Sequence, residues 1–445
     1  MLSGLPLAPH AADPTHFNQD YIMHRIIAAL LAATSCVATA QAQDTIAAAP
    51  QPAGPVLTLD RAVELAGGAA PAADAAQAGI DAARASRTVA GLRPNPSLET
   101  QVENVAGTGP YNGFDQAETT VGLNIPIELG GKRSARIAVA DAQSNRALLM
   151  AAITQADIRL QVTQFYVEAV AAQRRLATAQ DQLRITRDAA NAARVRVQAG
   201  RASPLEEQRA DVARVNAEAG VERAQRLAEI ALSNLARRIG QPLAGPLDET
   251  ALDRLPAAGY GPAQPRNAAG TMALAAADAD LAVADAGVRL ARSQRVPDLT
   301  VGPGIRRLEA TNDTAAVFSI SVPIPFFNSG KAAVEQATAE QRRADAQRRM
   351  TALDVEQAIA EAEANAANAA TTARAANGPA LAAAQEAARI ARIGYREGKF
   401  GQLDLLDAER TLAETRLTAI DALAAYQNAR AQLERLTAPA PEQGN

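Results

Sequence analysis

The chain has 445 residues, enough for two or three ordinary domains, yet aromatics make up only 3% of it and tryptophan is absent. That excludes a wide globular core, which large aromatic side chains usually fill. Alanine interspersed with Arg, Glu, Gln and Asp marks long helices and coiled coils instead, and a formal net charge of -4 gives no reason to expect nucleic acid as a partner.

Residues 1–42 read as a secretion signal with an upstream extension. Met23-His24-Arg25 is a basic start, Ile26 to Val37 is apolar, and Ala38-Thr39-Ala40 and Ala40-Gln41-Ala42 are small-residue cleavage sites. Residues 1–22 do not resemble a signal, which makes Met23 a candidate start codon. Cleavage near Gln41 or Gln43 would remove the only cysteine, Cys36, and all three histidines, His10, His16 and His24. A mature chain of that kind has no disulfide, Cys nucleophile or His base, and lacks the usual zinc or copper ligands. Cys36 has a rival reading as a lipid-anchored N-terminal residue. The preceding Ala33-Thr34-Ser35 lacks the Leu-like residue usual three positions before such a cysteine.

A Pro/Ala/Gln-rich lead over 43–56 is expected to be disordered. Helix is expected from Leu57 to about Leu92, broken near Gly67-Gly68 and Pro71, and Pro94 and Pro96 then force extension. From Ser97 to Ala106 the pattern alternates, with Leu98, Thr100 and Val102 on one side and Glu99, Gln101 and Glu103 on the other. After a turn, Thr119, Val121, Leu123 and Ile125 alternate with Thr120, Gly122 and Asn124. The runs have the length and single apolar face of tilted membrane strands, although soluble hairpins would read alike. Ser134 to Gln198 then forms one helix of about 95 Å at 1.5 Å per residue. Its apolar positions Ile158, Val162, Phe165, Ala169, Ala172, Leu176, Ala179 and Leu183 keep a 4-3 rhythm that predicts supercoiling. A turn at Gly200 to Pro204 reverses the chain into a second helix, Leu205 to Ile239.

The plan then repeats about 198 residues on. Residues 57–240 form the first repeat, 241–270 a Pro/Gly-rich linker, 271–436 the second repeat and 437–445 a polar tail. Leu299 and Val301 alternate with Thr300 and Gly302, and Phe318, Ile320 and Val322 with Ser319 and Ser321. Helix follows from about Ala332 to Arg396, with a bend expected at Gly378-Pro379, a turn at Gly398, and a return from Leu403 to Leu436. Two strand pairs cannot close a barrel, and open strand edges are not viable in lipid. Several chains must therefore pool their strands if these lie in a membrane.

Several motifs carry a resemblance. They are Arg93-Pro94-Asn95-Pro96-Ser97-Leu98, Ile127-Glu128-Leu129-Gly130-Gly131-Lys132-Arg133, Val322-Pro323-Ile324-Pro325 with Gly330-Lys331, and Tyr395-x-x-Gly398 followed by Leu403-Asp404-Leu405-Leu406-Asp407-Ala408. Over about residues 57–436 the chain resembles the TolC-like outer membrane efflux channels, and within them the cation-efflux (CzcC-like) branch. The resemblance implies a mainly α fold with membrane β: a duplicated strand–strand–long helix–long helix unit, a trimeric β-barrel continued by an α-helical barrel. It implies a homotrimer in outer membrane lipid, a periplasmic adaptor (membrane fusion protein) and an inner-membrane resistance-nodulation-division pump. No cofactor and no catalytic residue are expected.

Asp404 and Asp407 share a helix face. Acids suit a first helical turn without any function. The resemblance makes these two the constriction at the closed periplasmic end, where a trimer would present six carboxylates that favour cations. It also makes Tyr395 and Glu206 closed-state hydrogen-bonding residues. Copy one departs from the family pattern, carrying Ser203-Pro204-Leu205-Glu206-Glu207 where a hydroxyl residue more often precedes the acid. Gly200, Arg201, Ser203, Gly398 and Lys399 lie at the hairpin ends and are the expected adaptor-docking tips. The Ile127 to Arg133 run reads as structural, with Lys132 and Arg133 facing lipid phosphate. The expected function is a passive exit duct for heavy-metal cations. A multidrug or type I secretion duct of the same fold is the alternative, and a periplasmic coiled-coil adaptor or structural protein is one of another class. Beyond residue 42 the chain offers only Met150, Met272 and Met350 as soft ligands, so metal specificity should reside in the pump.

Overall fold

The computed structural model describes residues 55–256 and 267–441. The signal region, most of the lead, the middle of the linker and the last four residues lie outside them.

The break expected near Pro71 divides the first helical stretch in two. Helix α1 (Leu59–Ala69) is capped by Thr58, whose hydroxyl accepts the Arg61 amide at 3.3 Å. Pro71 opens α2 (Pro71–Ala90), where its missing N–H costs nothing. Strands β1 (Ser97–Glu103) and β2 (Glu118–Ile127) follow, then α3 (Lys132–Gln198, 67 residues) and α4 (Pro204–Ile239). Strand β1 is shorter than the alternation suggests, because Asn104 adopts the left-handed conformation (φ 59°) that Asn tolerates. Copy two comprises α5 (Met272–Ser293), β3 (Leu299–Leu308), β4 (Asp313–Ser321), α6 (Lys331–Ala375), α7 (Leu381–Arg396) and α8 (Gln402–Thr437). The sequence reading passed over α5, the counterpart of α2, although Thr271 caps an Ala-rich run there. The interruption expected at Gly378-Pro379 takes the form of a π-helical turn, Ala376–Ala380, between α6 and α7. Proline has no amide to donate and its ring crowds the preceding turn; one wider turn relieves both.

The two hairpins merge into one antiparallel sheet in the order β1-β2-β3-β4. Leu98 lies opposite Leu123, Val121 opposite Ile305, and Val301 opposite Ile320. One face thus carries Leu98, Val102, Val121, Leu123, Ile305, Phe318 and Ile320, and in a single chain that face is exposed. The other face is polar. There Arg306 meets Glu118 at 2.7 Å, Glu103 at 3.2 Å and the Thr120 hydroxyl at 2.9 Å. The outer edges of β1 and β4 are unpaired. No described helix is long and apolar enough to cross a membrane.

The core is a belt midway along the long helices. The 4-3 rhythm predicts a narrow seam on α3, but between Val162 and Ala172 burial extends around the helix, through Tyr166, Val167, Val170 and Ala171. Helix α1 (Ala62, Ala66), α4 (Leu235, Ile239), α8 (Ile420, Leu423) and Leu252 of the linker enclose it. Tyr166 ties the belt together. Its hydroxyl donates to the Leu57 carbonyl at 2.8 Å and accepts the Asp248 amide at 2.9 Å. Arg174 grips Asp253 through two bonds of 2.7 and 2.6 Å.

Candidate functional site

Both helical hairpins end in the same turn. Gly200 and Gly398 sit at φ 69° and 70°, with open space where a Cβ would go. The Arg201 amide donates to the Arg196 carbonyl and the Lys399 amide to the Gly394 carbonyl, both at 2.8 Å. This is the six-to-one bond of a left-handed helix terminus, which glycine adopts without strain. Ser203 caps α4 through the Leu205 amide at 3.3 Å. In α8 the bond runs the other way: Asp404, inside the first turn, accepts the amide of the capping Gly401 at 2.9 Å. The five tip residues Gly200, Arg201, Ser203, Gly398 and Lys399 are all exposed.

Asp404 and Asp407 are exposed near the start of α8. Asp407 lines a groove of about 460 Å³ with Leu403, Leu406 and Arg410 on α8, against Gln182 and Thr186 on α3 and Asn216 on α4. It pairs with Arg410 at 3.0 Å, a neutralising partner the sequence reading missed although the i,i+3 spacing is legible.

Tyr395 closes α7, and across the gap to the first hairpin the Arg196 guanidinium lies 5.5 Å from its ring centroid. Its hydroxyl is shielded from solvent, and its interaction with the Arg196 guanidinium holds that group charged beyond its ordinary range. Glu206 stands in the first turn of α4, and no hydrogen bond joins it to Tyr395 among the described residues. Further up, Arg392 of α7 binds Glu409 of α8, whose side chain is 1% exposed; one of the two bonds is 2.8 Å. That bond holds the Arg392 guanidinium charged beyond its ordinary range, against the opposing effect of burial. Arg416 reaches Asp181 of α3 at 3.4 Å, and Arg175 reaches Asp421 at 2.8 Å. Helix α8 is thus held to the first hairpin by ion pairs spaced along its length. Sequence reasoning had no means of pairing residues some 240 positions apart. Among the described residues, no three His, Cys, Asp or Glu side chains converge as a metal site.

An amphipathic sheet with free edges, joined to two long hairpins whose ends approach each other at Arg196 and Tyr395, fits a channel-forming protein of the outer membrane, and similarity places it there. The chain belongs to the outer membrane efflux protein family, whose family model matches residues 63–241 and 268–438. It is 31% identical over 390 residues to the cobalt-zinc-cadmium resistance protein CzcC of Cupriavidus metallidurans, covering 87% of this chain and 91% of that one. To the nickel and cobalt resistance protein CnrC of the same organism it is 31% identical over 283 residues, 63% of this chain and 66% of the relative. The fold matches that of the outer membrane protein VceC from Vibrio cholerae with a TM-score of 0.68 at 19% identity, covering 86% of this chain and 96% of that one.

Proposed function

We propose that this protein is the outer-membrane exit duct of a tripartite efflux pump, formed by three copies and carrying heavy-metal cations. The observation that carries the reading is the four-stranded sheet with one exposed apolar face and two unpaired edges. In lipid such edges must be closed, and only other copies can supply strands of matching character. The cation cargo is supported by the metal-resistance relatives and by Asp404 and Asp407 beside the tip. No His or Cys lies beyond Cys36, so the duct has no soft-ligand relay and selection among metals falls to the pump. The duct itself is passive. The adaptor docks at the Gly200 and Gly398 turns, and the energy comes from the inner-membrane partner.

Closure follows from the same geometry. The shielded Tyr395 hydroxyl has only the Arg196 guanidinium beside it in one chain, and a second hairpin bringing a carboxylate such as Glu206 would give its proton an acceptor. Asp404 and Asp407 then ring the axis, with Arg410 offsetting part of the charge. The test is a pair of measurements. Deleting the gene should sensitise cells to divalent heavy metals and raise their metal content; sensitisation to antibiotics alone would favour a multidrug duct. In planar bilayers, Asp404→Ala with Asp407→Ala should lower cation preference and weaken block by divalent cations. Unchanged selectivity would remove the two carboxylates from the pore.

A further inference from the structure

The route from β4 into α6 differs from the route out of β2. The copies align as Ile125-Pro126-Ile127 with Val322-Pro323-Ile324 and Gly131-Lys132 with Gly330-Lys331. Between proline and lysine, copy two is two residues longer and replaces Glu128-Leu129-Gly130 with Pro325-Phe326-Phe327-Asn328-Ser329. Phe326 and Phe327 are 83% and 98% exposed and stand edge to face, 5.0 Å apart. At the opposite edge, at the corresponding α2–β1 junction, Val89 and Leu92 are 65% and 60% exposed. Two apolar patches therefore lie at strand–helix junctions on opposite edges of one chain, as a head-to-tail contact between identical copies requires.

The β2–β3 seam shows how such junctions fit. There Ile125 lies opposite Val301 and Ile127 opposite Leu299. Below the strands, the exit from β2 presses on the entry to β3. A Cβ on Gly130 would lie 2.6 Å from Val296, the Leu129 amide donates to Asp298 at 3.1 Å, and Lys132 pairs with Asp298 at 2.7 Å. Val322 and Ile324, the counterparts of Ile125 and Ile127, have no strand on their outer side, while inward the segment from Pro323 on lines a cavity with Val296 and Asp298 of its own chain.

We infer that Pro323–Phe327 is an inter-subunit clasp that seats Phe326 and Phe327 on Val89 and Leu92 of the partner subunit. The inference rests on the trimer proposed above and adds its seam. The duplication fixes the register. Leu123 pairs with Leu98 and its counterpart Ile320 pairs with Val301, so Leu98 stands where Val301 does. Transferring the β2–β3 seam then sets Val322 opposite Leu98 of the partner subunit, and Ile320 opposite Thr100 of the partner subunit. Apolar positions stay on the apolar face, as the period of two demands. A partner copy is favoured over lipid because the inner seam has the same junction packing, protein against protein.

Two experiments in detergent test the clasp. In chains carrying both cysteines, Leu98→Cys with Val322→Cys or Glu99→Cys with Ser321→Cys should oxidise with diamide to covalent oligomers. The two pairs sample both classes of antiparallel partner. Thr100→Cys with Val322→Cys should not oxidise, and single-cysteine controls account for Cys36. Oxidation of the shifted pair in preference to the aligned ones would overturn the register. In native mass spectra, Phe326→Ser with Phe327→Ser should lower the trimer-to-monomer ratio about tenfold or more. Leu92→Ser should act in the same direction, with little further loss when combined. Phenylalanine variants that keep the trimer but bind phosphatidylethanolamine/phosphatidylglycerol vesicles less tightly would make the strap a lipid anchor and sink the clasp. A wild-type chain that is monomeric throughout removes the trimer itself; a wild-type trimer indifferent to all these changes removes only the clasp.

Discussion

Tyr166 shows how much of this fold hangs on single polar atoms. Burial pushes its phenol up to about 12, outweighing the opposing effect of the Asp248 amide. The folded state therefore prefers the neutral form. Its stabilising contribution is whole below the ordinary value near 10 and is lost as the pH climbs through 12. An ultraviolet titration should show a tyrosine phase near pH 12, and Tyr166→Phe should abolish it. The same variant removes the hydroxyl's bonds to the Leu57 carbonyl and the Asp248 amide, which keep their own mutual bond of 3.1 Å, so its cost in denaturant unfolding should be about 1 kcal/mol. Arg392 and Glu409 present a second case. Arg392→Ala leaves the nearly buried Glu409 carboxylate without its guanidinium, which should cost ~3 kcal/mol, somewhat less than in a fully buried pair because Arg392 is half exposed. Adding Glu409→Leu should recover much of the loss; a double variant no better than the single would show that the pair contributes packing rather than charge compensation.

At the scale of elements, Gly398 carries the sharpest expectation. At φ 70° with open space around it, a β-branched residue there meets backbone strain and no clash. Gly398→Val should lower efflux while the protein still reaches the outer membrane, as fractionation and a metal-sensitivity assay would show together; loss from the membrane would instead make the turn a folding requirement. This turn was legible in the sequence because glycine, the following cap and the apolar rhythm before it all act within a few residues. The strand faces were legible for the same reason, alternation being local. Other features rest on contacts distant in sequence. The pairing of β2 with β3, the belt around Tyr166 and the reach of Arg416 to Asp181 depend on how two copies pack, and no periodicity reports that. Helix α5 was missed for a different reason: its alanines signal helix but give no stripe to distinguish a packed element from a linker extension. The Asp407–Arg410 pair is not fixed by spacing either, since Arg410 stands one turn from Glu414 as well and reaches both, at 3.0 and 3.8 Å.

For the whole molecule, the single chain is incomplete in two places at once. Its sheet exposes an apolar face and two edges, and its long helices away from the belt bury mostly alanine, as at Ala190, Ala193 and Ala210, with a few larger residues such as Ile359 and Leu412. Small side chains let helices approach closely but release little apolar surface each, so the proposed assembly would supply much of the stability away from the belt. The belt, with Tyr166, Leu235, Leu252 and Leu423 fully buried, has a core of its own. Two thermal behaviours follow. Assembly-dependent parts should melt at a temperature that rises with protein concentration in fixed detergent, by mass action, while the belt should melt at one that does not. Tyrosine fluorescence can report the belt through Tyr166 and Tyr426, and circular dichroism the long helices. A transition in circular dichroism that shifts with concentration, beside a tyrosine transition that stays put, is the expected result. If both signals are independent of concentration and coincide, the helices are stable within one chain, and the assembly would then serve closure of the barrel alone.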